Sequence, residues 1–456
     1  MAAEPTTDRP TRLARTVTAP LLFLFILGDV LGAGVYALVG ELSAEAGGMI
    51  WLPLLVALGM ALLTAASYAE LVTKYPQAGG SAVYAQRAFG RPLLSFLVGF
   101  CMLAAGVTSA AGLSLAFAGD YLGTFLDVPT IPTAVVFLAL VAALNLRGIK
   151  ESLRANVLMT AVELSGLVLV VVLGALVLGR GEGDVARLGD LPLGTGVAGA
   201  TLGGALIAFY SFVGFETSAN IAEEVRDVRR VYPRALFGAI VTAGVVYLLV
   251  ALVAPAVVPL DDLQESSGPL LEVVKVAGGV PLEVFSVVAL VAVANGALLT
   301  MVMASRLTYG MAEERLLPSV FGRVLPGRRT PVVAIVATTL LAMALTLTGS
   351  LADLASTVVL LLLFVFLSTN VAVLVLRRDE VGHDHFRVWT LLPVLAIGTC
   401  LLLLTQQEAK HWLLAAALLV LGTLLYVLTR WEARRHPGRA PDTRDTDPRD
   451  TAVAER

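Results

Sequence analysis

Residues 28–36 read Gly28-Asp29-Val30-Leu31-Gly32-Ala33-Gly34-Val35-Tyr36, three glycines and an acid inside an apolar run covering roughly 18–39. A run near 20 residues is long enough to cross a hydrocarbon core of ~30 Å. A continuous helix at that depth is weakened by glycine and penalised by a charge. The stretch is costly unless the helix is interrupted there. An interruption exposes amide N–H groups, and the half-helix that follows carries partial positive charge at its start, a natural seat for a carboxylate. The alternative is a GxxxG packing face built on Gly28 and Gly32. Close packing, however, has no use for Asp29.

The rest of the chain has the same apolar character. Of 456 residues, 57% are hydrophobic, only 15% are charged, and the mean hydropathy is +0.84. A soluble domain carries about a quarter charged residues. Twelve apolar stretches fall near 18–39, 49–72, 93–118, 130–146, 155–179, 196–222, 236–259, 281–304, 331–349, 352–376, 388–405 and 411–430. They are continuous runs rather than the ~10-residue alternating segments of a β-barrel. The expected fold is therefore an all-α polytopic membrane protein with twelve transmembrane helices. Cys101 and Cys400 both lie in apolar spans, which argues against a disulfide scaffold. A net charge of -3 disfavours a nucleic-acid partner. The first run has no small-residue cleavage site and leads into further spans, so no removable signal peptide is expected.

Loop charges set the direction of the spans. One set of flanks holds 28 of the 32 basic residues, and the other holds only Arg180, Arg187, Lys275 and Lys410. The positive-inside rule then puts both termini in the cytoplasm. Arginine outnumbers lysine 28 to 4, a hint of a GC-rich bacterial genome and a bacterial-type cytoplasmic membrane. Residues 1–17 and 433–456 are expected to be disordered cytoplasmic tails. The loops near 261–280 and 306–330 are too short to form a soluble domain.

A second rule-breaking span runs Gly203-Gly204-Ala205-Leu206-Ile207-Ala208-Phe209-Tyr210-Ser211-Phe212-Val213-Gly214-Phe215-Glu216. Glycine and a carboxylate again fall mid-span, here among four aromatics that suggest a gate over a small substrate or, alternatively, plain core packing. If the first ten spans are two repeats of five, spans one and six occupy corresponding places. Paired broken helices of that kind point to a transporter's midplane binding site.

Further motifs follow in order: Tyr68-Ala69-Glu70-Leu71, then Tyr75-Pro76-Gln77-Ala78-Gly79-Gly80-Ser81-Ala82-Val83-Tyr84, then Glu223-Glu224-Val225-Arg226, then Arg306-Leu307-Thr308-Tyr309-Gly310-Met311-Ala312-Glu313-Glu314, and Thr330-Pro331. With the two broken spans, these resemble the amino acid–polyamine–organocation transporters, particularly the branch with the cationic amino acid transporters. The resemblance covers about 18–378. It implies a five-plus-five inverted repeat (LeuT-like) as a ten-helix transport core, two peripheral helices over 388–430, and alternating access. It also implies that amides of Gly32, Ala33 and Gly34 meet a substrate carboxylate, and that carbonyls of Phe209, Ser211 and Phe212 meet its ammonium. Val30, Gly214 and Phe215 complete the implied substrate site, with Gly28 and Glu216 supporting the helix breaks. The Tyr75–Tyr84 stretch lies, in such transporters, in an inner loop that helps close the cytoplasmic side.

Three acids lie inside spans: Asp29, Glu163 and Glu216. Each costs on the order of 3 kcal/mol at mid-bilayer when ionised, and no basic residue inside a span pairs with them. Protonation, a bound cation or a substrate ammonium must offset that cost. Glu163 stands where several prokaryotic relatives of the family place a lysine thought to carry the coupling proton. The departure leaves the site in place but exchanges an ammonium for a carboxylate. Glu163, coupled to Asp29, is expected to carry the proton; sodium ligation or pairing with a cationic substrate are alternatives. Asn295 reads as a helix–helix hydrogen bond. Lys74 with Glu223-Glu224 reads as a solvated charge face rather than a gating ion pair. His383-Asp384-His385 has too few ligands for a metal clip.

The expected function is a secondary transporter importing an amino acid by proton symport, with no metal or cofactor beyond the coupling ion. Its partners are a small amino acid or amine and the lipid bilayer. An amine or polyamine importer, an amino acid exchanger and a sodium-coupled carrier are alternatives. An intramembrane enzyme needs paired aspartates or a Ser/His couple at depth, whereas all four histidines are placed outside the spans. A channel needs no accumulation against a gradient. ATP drive lacks a Walker-type motif.

Overall fold

The computed structural model describes residues 17–32, 34–77, 79–147, 152–314, 316–325 and 330–435. In chain order its helices are α1 (Ala19–Leu31), α2 (Gly34–Ala46), α3 (Trp51–Lys74), α4 (Gly80–Phe89), α5 (Pro92–Phe117), α6 (Asp120–Gly123), α7 (Thr130–Arg147), α8 (Ser152–Gly179) and α9 (Val197–Tyr210). They continue with α10 (Val228–Val257), α11 (Leu260–Glu265), α12 (Pro269–Ala277), α13 (Leu282–Glu313), α14 (Val332–Leu345), α15 (Leu351–Leu376), α16 (Leu391–Thr405) and α17 (Ala409–Arg435). A 3₁₀ segment, Phe215–Glu224, follows α9. Among the described residues the one β-type pairing is a bridge between Val17 and Val225. The protein is an all-α, multi-pass membrane protein.

Ten segments among the described residues are long and apolar enough to cross a membrane. The first is Ala19–Ala46, made of α1 and α2, and another is Val197–Glu224, made of α9 and its 3₁₀ extension. The shorter apolar helices α14 and α16 occupy the ninth and eleventh predicted stretches. Proline in the first turn opens α1, α5 and α12, where a missing N–H costs nothing. A reciprocal Ser350–Asp353 capping box opens α15. On α7, Val136, Leu140 and Leu144 sit one turn apart and are 60%, 60% and 51% exposed. Such an unpartnered apolar stripe fits lipid rather than water.

The packing brings the two interrupted segments together. Helix α1 lies against α8 and α10, and α2 lies against α9. Helix α5 packs on both α13 and α15 and closes the opposite side. The short helices α4, α6, α11 and α12 lie in loops that the hydropathy pattern left unassigned.

The predicted tails at 1–16 and 436–456 lie outside the described residues. Val17, assigned to the N-terminal tail, is buried and ordered, donating to Glu224 O and accepting from Arg226 N–H, each at 3.0 Å. Helix α17 continues through Arg435, past residue 433 where the C-terminal tail was expected to begin.

Candidate functional site

The first break falls where the glycines placed it. Helix α1 ends at Leu31, and Gly32 N–H donates to Gly28 O at 3.3 Å as its last turn. Ala33 lies outside the described residues. Helix α2 starts at Gly34, where a Cβ would stand 2.9 Å from the Ser211 Cα. The missing side chain lets the two broken segments touch.

The second break is held by Gly214. Its φ of 126° lies in the region glycine alone adopts readily, and a Cβ there would meet Asp29 O at 2.6 Å. Gly214 N–H donates to Glu216 Oε2 at 2.9 Å, so the buried acid caps the unwound turn from within. Thr217 Oγ1 bonds both the Asp29 carboxylate and the Gly214 carbonyl, joining the two breaks. The Tyr247 hydroxyl reaches Val30 O at 2.6 Å and Leu31 O at 2.9 Å, two carbonyls that the end of α1 leaves without intrahelical partners.

A cavity opens between these breaks and the α5–α13–α15 wall. Asp29, Val30, Gly32, Gly34, Ser211, Gly214 and Glu216 line it. Thr217 and Asn220 extend the same side, and Tyr210 faces it with its hydroxyl 2.8 Å from Ser109 Oγ. No Lys, Arg or His is among the described lining residues. The cavity therefore meets the amide-rich start of α2, the carbonyl-rich end of α9 and a carboxylate. That combination suits a solute carrying an anion and a cation on adjacent atoms.

Three expected site residues are not on this surface. Phe209 and Phe215 pack on Phe366, with ring centroids 5.9 and 5.5 Å apart, and Phe212 packs on Tyr247 at 5.4 Å. All three rings are buried core, so the expected aromatic gate reduces to Tyr210. The Phe209 carbonyl is also occupied, accepting from Phe212 N–H at 3.0 Å. Among the described residues, the carbonyls of Ser211 and Phe212 accept no backbone amide. The helix unwinds after Tyr210, so helical periodicity no longer tells which side chains point inward. Gly28 serves a different contact: a Cβ there would overlap Thr160 Oγ1 at 2.0 Å, so its absence permits the α1–α8 crossing.

Glu163 lies on α8, fully buried and outside the cavity lining. Neither carboxyl oxygen has a hydrogen-bond partner. Asn295 stands beside it without a bond of ordinary geometry and donates instead to Asn156 Oδ1 at 3.2 Å. Thr160 Oγ1 donates to the same atom at 3.4 Å. Asn295 thus makes the interhelical bond read from the sequence. Tyr36 on α2 donates to the Glu163 main-chain carbonyl at 2.6 Å, which ties the start of the second half-helix to this acid's turn.

At the C-terminal end of α3 a clamp appears that the sequence did not reveal. Arg377 makes a bidentate pair with Glu70, at 3.0 and 2.9 Å, and also donates to Val388 O at 2.6 Å. Glu70 Oε2 accepts Val388 N–H at 2.9 Å. Lys74 is buried, not solvated, and its ammonium donates to Leu376 O and Asp379 O at 2.6 and 2.5 Å. Neither a surface face nor a pairing with Glu223-Glu224 describes it. Nearby, burial and the hydrogen bond to the Asp379 carboxylate raise the Tyr75 phenol above its usual range. Burial likewise lowers the His385 imidazole.

The histidine reading also needs correction, because His411 is inside a span. It is buried in the first turn of α17, with Nε2 3.4 Å from Asp353 Oδ1. Its partner sits at the cap of α15, remote in sequence.

Comparison with known proteins adds an independent line. A family model described as amino acid permease matches residues 20–440. The methylthioribose transporter of Bacillus subtilis is 27% identical over 440 residues, covering 91% of this chain and 93% of that protein. The vacuolar cationic amino acid transporter 4 of Arabidopsis thaliana is 31% identical over 395 residues, covering 81% of this chain and 64% of its own. An uncharacterized transporter of Mycobacterium tuberculosis is 30% identical over 441 residues, covering 96% of each.

Proposed function

This chain belongs to the amino acid permease family, and on that premise we propose that it is a secondary transporter importing an amino acid by proton symport with alternating access. As a permease it is a transporter and not an enzyme. The proposal includes twelve crossings, a five-plus-five inverted repeat, both termini in the cytoplasm and a bacterial cytoplasmic membrane. The observation that carries it is the meeting of two interrupted helices at one cavity. The amide start of α2 supplies partial positive charge, and the end of α9, with Asp29 beside it, supplies negative charge. An α-amino acid head group presents the matching carboxylate and ammonium.

The supporting case for proton coupling is Glu163. Its carboxyl is buried without a hydrogen-bond partner, and an ionised acid in that position is costly. Loading with a proton removes the charge, and release becomes possible when the surrounding helices rearrange. Tyr36 links that turn to α2, so a change at Glu163 has a direct mechanical route to the first break.

A second reading, transport of a different small polar solute, is favoured by the full-length similarity to the methylthioribose transporter. Amine import and exchange of two solutes belong to the same scheme. Counterflow separates them. Proteoliposomes preloaded with an unlabelled amino acid should take up labelled amino acid in a transient overshoot, and amines or methylthioribose should not substitute. Overshoot with methylthioribose alone would discard the amino acid reading, and simple equilibration without overshoot would indicate a channel.

A further inference from the structure

We infer that the substrate is a neutral amino acid with an apolar side chain, which the α5–α13–α15 wall selects by shape and by the absence of a charged group. The inference rests on the proposed amino acid head-group site. The acids of the cavity all lie on its helix-break side. Asp29 is bonded to Thr217 and lies against Gly214, and Glu216 accepts the Gly214 amide. Both are placed to meet a head group, and Glu216 is already engaged within its own turn.

The facing wall is different. Met102 and Leu113 on α5, Met303 on α13, and Val358 and Leu362 on α15 present thioether and aliphatic surface. The hydroxyls there are each engaged in a bond of their own and offer a solute only neutral oxygens: Ser109 is bonded to Tyr210 at 2.8 Å, and Thr300 donates to Gly296 O at 2.9 Å. A guanidinium or ammonium at the end of a long side chain would find only neutral hydroxyl oxygens and no carboxylate on this wall, and would lose most of its hydration. An apolar side chain gains contact at each methylene, and flexible methionines adapt to branched or straight shapes. The chemistry thus favours leucine-, isoleucine- or methionine-like substrates over arginine, lysine and polyamines.

Titrating the purified full-length protein with individual solutes and following its thermal unfolding tests this. L-leucine and L-methionine should bind at least about tenfold more tightly than glycine, because each buried methylene is worth roughly tenfold or more. L-arginine should bind about a hundredfold more weakly than L-leucine, as expected for an unpaired charge moved against apolar surface. Leu362→Asp should narrow or invert that ratio by giving the wall a carboxylate. The wild-type ratio alone decides if this variant does not fold. Arginine binding within threefold of leucine overturns the inference while keeping the head-group site. Methylthioribose or an amine without a carboxylate binding best, or no amino acid binding at all, overturns the head-group site and this inference with it.

Discussion

Replacing Tyr247 by phenylalanine removes a single oxygen at the point where the first span breaks. The hydroxyl reaches the Val30 and Leu31 carbonyls at 2.6 and 2.9 Å, and those residues are 2% and 0% exposed. The ring contact with Phe212, at 5.4 Å between centroids, survives the change. A buried acceptor left without its donor costs about 1–3 kcal/mol. Val30 lines the cavity, so water entering there replaces part of the lost bond and the lower half of that range applies. A cost of ~1.4 kcal/mol at the binding surface corresponds to about tenfold in affinity. Half-maximal substrate concentration in counterflow should rise by about that factor. Tyr121→Phe is the control, since its hydroxyl donates to Tyr36 O at 2.6 Å inside α2 and neither residue lines the cavity. It should lower thermal stability and leave affinity unchanged. Wild-type affinity in Tyr247→Phe, or equal weakening by both variants, would refute the reasoning.

Other outcomes follow from the same geometry. Gly214→Ala forces a positive φ on alanine, costing about 1–3 kcal/mol, and drives a Cβ to 2.6 Å from Asp29 O. Binding measured by thermal shift should fall by at least about a hundredfold, since the two breaks must separate. Arg377→Leu strands the buried Glu70 carboxylate and should destabilise by about 3–5 kcal/mol, whereas Glu70→Leu with Arg377→Leu should cost less. Thermal unfolding of the three proteins checks the order. Glu163→Gln is nearly isosteric and removes no hydrogen bond of the carboxyl, so it should preserve counterflow while abolishing proton-driven accumulation.

The spans were legible because hydropathy acts locally, and helices occupy each of the predicted stretches. The breaks were legible too, because glycine and acid inside an apolar run are local exceptions to a local rule. What the sequence hid depends on distant partners. Tyr247 is an ordinary aromatic in an apolar run until α10 lies against α1. Glu70 and Arg377 are 307 residues apart, and Lys74 finds its carbonyls only when the end of α15 folds over α3. Thr217 stands one residue beyond Glu216 and could have been suspected, since a hydroxyl beside an unwound turn often binds free backbone. Phe212 and Phe215 misled for a physical reason: beyond Tyr210 the helix period is lost, and composition alone cannot say whether an aromatic faces the cavity or the core.

The most direct test is uptake of labelled L-leucine into proteoliposomes under an imposed inward proton gradient. Internal label should rise above the external concentration, collapse on adding a protonophore, and never rise in Glu163→Gln vesicles that still perform counterflow. Accumulation at the wild-type level in Glu163→Gln, or no accumulation by the wild-type protein under the gradient, would contradict the account.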